Sequence, residues 1–186
     1  ALLFSFALGP DTETLRRFAP GLLWLSVALA SLLAVGRSFA AEREHGTLET
    51  LLLYPVPREA LFLGKPTASF AVLVVVAAGA LALMAVLYTI PWPERPVLML
   101  AALLLGTFGL ALAGTFYGAV SAQLRAREAL VPMLLLPVLV PLVIAAVQAT
   151  QSALDGGDSS WLQVLVAFDA LFLVLGLAVF PYVFEE

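Results

Sequence analysis

Apolar residues fill long charge-free runs along most of this chain of 186 residues. Crossing the hydrocarbon core of a bilayer as an α-helix takes about 20 apolar residues, and four runs without Asp, Glu, Lys or Arg come close to or exceed that length. A fifth run contains one acid, Asp169. The pattern therefore predicts five complete membrane-spanning helices, near residues 20–41, 66–90, 97–120, 129–149 and 161–183.

A shorter apolar run, Ala1–Leu8, precedes these five segments. It is too short to cross a membrane alone, and no positively charged segment or cleavage site precedes it. We interpret it as the end of a partial first span, which gives six spans in the intact protein. Residues 1–186 are then predicted to form a single transmembrane domain, the permease-like bundle of an all-α polytopic membrane protein.

Composition supports the membrane assignment and excludes several kinds of site. The chain is 62% hydrophobic and only 12% charged, whereas soluble domains are about 25% charged. It has no cysteine, so disulfides and thiolate-ligated metal centres are excluded.

The distribution of positive charge predicts the orientation in the membrane. Six of the nine Lys and Arg residues lie in segments 37–65 and 121–128, and positively charged loops remain in the cytoplasm. The loops at 9–19, 91–96 and 150–160 are then extracytoplasmic. Three tryptophans fall near that outer face, where an interfacial belt is expected: Trp24, Trp92 and Trp161.

Two features within the spans are candidates for packing or function. The span near 97–120 carries four glycines, which allow close approach of helices, either within this chain or at a seam with another protein chain: Gly106, Gly109, Gly114 and Gly118. Asp169 is costly inside a membrane unless it is paired or hydrated. It is expected either to pack with Gln148 or Gln151 or to line a functional cavity.

Motifs of catalysis are not found in the sequence. HExxH, GxSxG and Walker A patterns are all missing, so the chain has no visible means of hydrolysing ATP or a membrane substrate. The possible haem ligands, besides tyrosines, are scattered: His45, Met84, Met99 and Met133. No site with two good axial ligands can be assembled from them, so we predict neither an enzyme nor a resident cofactor or metal.

The loop at 42–65 has the pattern of a short helix between two spans. Gly46 suits the left-handed position that ends a helix, Thr47 can cap a new one, and Glu49 lies in its first turn. Leucines at positions 48, 51 and 52 form one apolar stripe. The helix is expected either to lie at the cytoplasmic membrane surface or to dock a cytosolic partner through Glu42, Arg43, Glu44, Gly46, Thr47, Leu48, Glu49, Leu51 and Leu52.

The same loop carries a family resemblance. Residues 42–55 read ERE-x-GTLE-x-LL-x-x-P and resemble the coupling region of ABC-2 type permeases. Four further segments occur in the expected order: LRRFAPGLLW (15–24), SLLA (31–34), LGT (105–107) and LPVLVPL (136–142). Together they are similar to the CcmB family, the haem exporter B permeases of cytochrome c maturation.

The resemblance implies a six-span ABC-2 bundle in the bacterial inner membrane, with a coupling helix seated in a groove of a cytosolic ATPase. It also implies the partners: the ATPase (maturation protein A) with its ATP and Mg²⁺, the haem-handling maturation protein C, the small maturation protein D and, indirectly, haem chaperone E, with no nucleic acid. In that family the complex uses ATP for haem export or for release of haem-loaded chaperone. Two other functions stay open: a permease for another substrate such as a drug or glycolipid, and a membrane scaffold that transports nothing.

Overall fold

The computed structural model describes residues 12–44, 58–87, 92–121 and 127–183. Within these ranges the chain forms five α-helices and no strand: α1 (Thr12–Glu44), α2 (Arg58–Leu87), α3 (Pro96–Ser121), α4 (Arg127–Leu154) and α5 (Ser160–Val183). Each helix contains a stretch long and apolar enough to cross a membrane. The predicted all-α polytopic membrane fold is confirmed for this part of the chain, and the partial span Ala1–Leu8 lies outside it.

Two predicted loops are wrong in extent. Helix α1 already begins at Thr12, within the predicted loop 9–19, because Leu15 and Ala19 are buried against the bundle. The polar residues that suggested a loop, Arg16 and Arg17, lie on the exposed face of this helix. Helix α4 likewise continues to Leu154, so the predicted loop 150–160 shrinks to residues 155–159.

The flanking helices also extend into the predicted loop 42–65 from both sides. Helix α1 continues through Arg43 and ends at Glu44, and α2 begins at Arg58. Residues 45–57, which include the predicted coupling helix, lie outside the described residues.

Helix α3 is at the centre of the bundle. It contacts all four other described helices, and 61% of its most apolar stretch is buried, compared with 17% for that of α2 and 22% for that of α5. The exposed apolar side chains of α2 and α5 are those expected on the lipid-facing surface of a membrane bundle. A glycine or polar residue on α3 is therefore placed to contact neighbouring helices.

Contacts between the helices show which of their ends lie together. The Arg95 N–H donates to the Ala153 carbonyl (3.1 Å), which brings the start of α3 to the end of α4. Ala19, Leu81 and Thr150 line one cleft, so the start of α1 lies beside the ends of α2 and α4. We call this the short-loop end, after its connections at 92–95 and 155–159.

The connection at 155–159 is fixed by local hydrogen bonds. Helix α4 ends at Leu154. Gly156 follows with a φ of 71°, which is readily adopted only by glycine, and the Gly157 N–H donates to the Ser152 carbonyl (2.8 Å). Next in the chain, Asp158 Oδ1 accepts from the Ser159 N–H (2.6 Å). Hydrogen bonds from the Ser160 side chain and the Ser159 backbone hold the pKa of Asp158 below its usual value, so this carboxylate is well suited to precede α5.

Candidate functional site

Polar side chains buried within the described helices are few, and all but one of them have a hydrogen-bond partner. They are Ser31, Thr107, Thr115, Thr150 and Asp169. The Thr107 and Thr115 hydroxyls donate to carbonyls one turn earlier in α3, those of Leu103 (2.6 Å) and Ala111 (2.8 Å). Hydroxyls satisfied in this way need no group from another helix, so they do not make a binding site. The informative residues are Trp24 with Thr150, and Asp169.

Trp24 ties α1 to α4. Its side chain is completely buried, and its indole Nε1–H donates to Thr150 Oγ1 (2.9 Å). The Thr150 hydroxyl donates in turn to the Ala146 carbonyl (2.8 Å). Both polar groups are therefore satisfied inside the bundle, as buried indole N–H groups usually are.

Gly106 provides the space for this tryptophan. A Cβ at position 106 would lie 2.7 Å from Cζ3 and 2.9 Å from Cζ2 of Trp24, and closer still to Cη2. Those separations are far below van der Waals contact, so only glycine fits beneath the indole ring. Trp24 thus joins three helices: it lies on α1, contacts Gly106 on α3 and bonds to Thr150 on α4.

The predicted interfacial role of Trp24 is wrong for this reason. An interfacial tryptophan is accessible to lipid headgroups, whereas Trp24 is 0% exposed. Trp92 and Trp161 differ, since they are 83% and 36% exposed beside the short connections. The charge-free run gave no sign of which face of α1 is buried.

Asp169 is the buried polar residue without a partner. It lies on α5 and is 6% exposed, and neither carboxyl oxygen has a hydrogen-bond partner among the described residues. Its side chain lies over Gly109 of α3, where a Cβ would be 2.5 Å from Asp169 Oδ1 and 2.8 Å from Cδ1 of Leu142 on α4. The absence of a side chain at Gly109 therefore makes room for the carboxyl group between three helices.

The predicted pairing of Asp169 with Gln148 or Gln151 is also wrong. Gln151 Nε2 donates to Asp155 Oδ2 (2.5 Å) within the same helix end, and Gln148 is exposed. Asp169 instead lies against Gly109 of α3, and no sequence signal joined the two.

Aromatic rings pack next to Asp169 along α5. Phe168 and Phe172 stack with ring centroids 4.7 Å apart, and Phe172 meets Phe116 of α3 edge-on at 6.0 Å. Tyr117 completes the group, 5.3 Å from Phe116. These contacts fix the face of α5 that presents Asp169 to α3, so the acid has a defined position.

The other candidate residues are placed as follows. Gly114 and Gly118 of α3 are buried within this chain. Glu42, Arg43 and Glu44 form the last turn of α1, at the end opposite the short loops. Gly46, Thr47, Leu48, Glu49, Leu51 and Leu52 lie outside the described residues, as does His45.

The described residues contain no group of three His, Cys, Asp or Glu side chains that could hold a metal ion. Two of the methionines considered as haem ligands, Met84 and Met99, are buried in separate hydrophobic clusters. These two side chains do not converge on one site.

Replacing Gly109 by alanine tests the close approach of Asp169 to α3. We expect Gly109→Ala to destabilise the bundle by about 1–2 kcal/mol, because the added methyl displaces the Asp169 carboxyl and Leu142 from a packed interior. Unfolding in mixed detergent micelles measures the loss, with Gly79→Ala of α2 as the control, since a Cβ there meets nothing within 4 Å. Equal stabilities of the two variants would contradict the described packing.

These features define the class: a polytopic helical membrane protein, with a bundle held by small residues and buried hydrogen bonds. Comparison with known families gives the particular assignment. Residues 1–184 match the family described as CcmB protein, and the chain belongs to this family.

Individual relatives agree with the family match. The chain is 36% identical over 156 residues to heme exporter protein B of Paracoccus denitrificans, covering 84% of this chain and 71% of the relative. For heme exporter protein B of Rhodobacter capsulatus the identity is 37% over 154 residues, covering 83% and 70%. For that of Pseudomonas aeruginosa it is 36% over 173 residues, covering 89% and 75%.

Proposed function

We propose that this chain is the transmembrane subunit of an ABC-type complex that serves cytochrome c maturation in the bacterial inner membrane. The observation that carries the proposal is the family match over nearly the whole chain, together with relatives named heme exporter protein B. ATP hydrolysis belongs to a cytosolic partner, because the sequence has no phosphate-binding loop of its own. The chain couples that partner to haem delivery on the outer side.

The proposed contact with the ATPase is the segment from Glu42 to Leu52. Helix α1 ends within this segment, at Glu44, and α2 begins beyond it, at Arg58; both of these helix ends lie opposite the short-loop end. Six of the nine Lys and Arg residues occur in segments 37–65 and 121–128, which supports a cytoplasmic location for this side. Leucines 48, 51 and 52 would pack into a groove of the ATPase, and the charges of Glu42 to Glu44 would border it.

On the outer side the complex would include a haem-handling protein, a small membrane protein and, transiently, a haem chaperone. We propose that haem is handled by the complex without being a resident cofactor of this chain. Support comes from the ligands: Met84 and Met99 are buried apart from one another, and His45 falls in the segment proposed to be cytoplasmic.

Removing two carboxylates from the contact segment tests the coupling. We expect the double variant Glu42→Ala with Glu49→Ala to insert normally, to lose most co-purifying ATPase and to lower cytochrome c yield by about tenfold or more, as for loss of more than about 1.4 kcal/mol of binding. The matched control for ATPase recovery is Glu94→Ala with Asp155→Ala, which removes two carboxylates at the short-loop end and should leave the ATPase bound. Normal ATPase recovery and normal cytochrome c yield in the first variant would reject the proposed coupling segment.

The same two assays, together with deletion of the chain, separate the alternative functions. A permease for a drug or glycolipid would still lose its ATPase in the Glu42 and Glu49 variant, but deletion of the chain would leave cytochrome c yield unchanged. A scaffold that transports nothing would tolerate the variant in both assays.

A further inference from the structure

Helix α1 contains two adjacent residues that weaken a helix, Pro20 and Gly21. Pro20 lies inside α1; it has no N–H to donate and its ring crowds the preceding turn. Gly21 follows it, and a Cβ at Gly21 would meet nothing within 4 Å. Glycine costs about 1 kcal/mol relative to alanine inside a helix. Because the space around Gly21 would accommodate alanine, packing does not explain why glycine is present.

The residues before and after this pair differ in which of their side chains are buried. Beyond it, residues 23–31 are seated in the bundle through Leu23, Trp24, Val27, Ala28 and Ser31, all buried. Trp24 lies one turn from Pro20 and is fixed by Gly106 and by its bond to Thr150. Before the pair, Leu15 and Ala19 are the buried positions among residues 14–19, while residues 16–18 are exposed.

A shallow surface cleft adjoins the same point. This cleft, open at the surface and with room inside for about one water molecule, lies between α1, α2 and α4 and is lined in part by Pro20, Leu81, Met84 and Thr150. Its walls are apolar apart from Thr150.

We propose that Pro20 and Gly21 form a hinge about which Thr12–Ala19 moves, while Trp24 holds the rest of α1 against α3 and α4. Proline and glycine are the usual sites of helix kinks, and hinges concentrate a motion at a few residues next to rigid parts. The functional consequence rests on the proposed function: the moving segment lies at the short-loop end, so its position changes the surface offered to the haem-handling partner.

Distance measurements between spin labels test the hinge directly, and the cysteine-free chain needs no background substitutions. One pair joins Phe18→Cys in the moving segment to Gln163→Cys on α5. The reference pair joins Leu25→Cys in the anchored part to the same position. All three sites are exposed, and the full chain is labelled in lipid nanodiscs within its complex.

We expect two populations, or one broad one, for the Phe18 pair and a single narrow one for the Leu25 pair. Gly21→Ala should remove the second population without lowering stability, because the methyl enters open space and favours helix. Gly79→Ala of α2, equally open, should leave both distributions unchanged. A single narrow distance for both pairs, or no effect of Gly21→Ala, overturns the hinge.

Measuring cytochrome c yield separates the hinge proposal from the proposed function. In the complete complex, Gly21→Ala should lower cytochrome c yield while the ATPase still co-purifies, and Gly79→Ala should have no effect. If the labels show the hinge but deletion of the chain does not affect cytochrome c, the proposed function fails and the hinge stands. A full yield with Gly21→Ala, in a chain whose deletion abolishes the yield, overturns the functional role of the hinge.

Discussion

Trp24→Ala is expected to lower the free energy of unfolding by about 3–5 kcal/mol, the usual cost of removing a buried large aromatic side chain. The loss comes from packing, because the indole lies between three helices and is completely buried. Little of it comes from the hydrogen bond, since the Thr150 hydroxyl keeps its bond to the Ala146 carbonyl and polar contacts between membrane helices contribute only about 0.6 kcal/mol on average.

Unfolding in mixed detergent micelles measures this effect. The matched control is Leu25→Ala, which shortens the next residue of the same helix, one that is 47% exposed. Trp24→Phe should retain most of the stability, because it keeps an aromatic ring and loses only the N–H donor and the far edge of the indole. A Trp24→Ala protein as stable as Leu25→Ala would show that α1 does not pack as described.

The second large effect is expected from Gly106→Ala, which should lower the free energy of unfolding. The loss should lie at the upper end of the range of about 1–3 kcal/mol for an overfilled core. The added methyl overlaps the far edge of the Trp24 ring, and the bond to Thr150 keeps the ring from turning away. Phenylalanine lacks that edge. Gly106→Ala should therefore cost much less in a Trp24→Phe background.

A double-mutant cycle turns this into a measurement of contact. Residues that touch show interaction energies of about 0.5–3 kcal/mol in such cycles. Here the double variant should lose less stability than the sum of the losses in the two single variants. Gly109→Ala with Trp24→Phe is the control pair, since Gly109 meets Asp169 and Leu142 instead. Additive effects at positions 24 and 106 would contradict the close approach of α1 and α3.

The five helices of the described residues and their approximate positions could be predicted from the sequence because the bilayer sets their length. An apolar, charge-free run of about 20 residues is the length that crosses the hydrocarbon core, and α1 ends at Glu44, close before Gly46, the residue that the sequence marks as a helix end. Boundaries near the membrane surface were harder. Arg16, Arg17 and Thr150 are polar yet helical, because neighbouring positions on the same helices are buried.

Contacts between helices could not be predicted, for a physical reason. A membrane helix is apolar on all sides, so hydrophobic periodicity does not reveal which face is buried. Trp24 and Thr150 are 126 positions apart, and only the packing of α1 against α4 brings them together. Gly106 and Gly109 were among the glycines that the sequence marks as packing candidates, but the side chains they contact emerged only from the structure.

Cross-linking from a single cysteine tests the central claim most directly, namely that residues 42–52 contact a cytosolic ATPase. The chain has no cysteine of its own, so Leu48→Cys carrying a photoreactive probe reports one position in the intact complex. We predict a cross-link to the ATPase from position 48 and none from Trp92→Cys, which is exposed at the short-loop end. A cross-link from position 92 with none from position 48 would contradict the account.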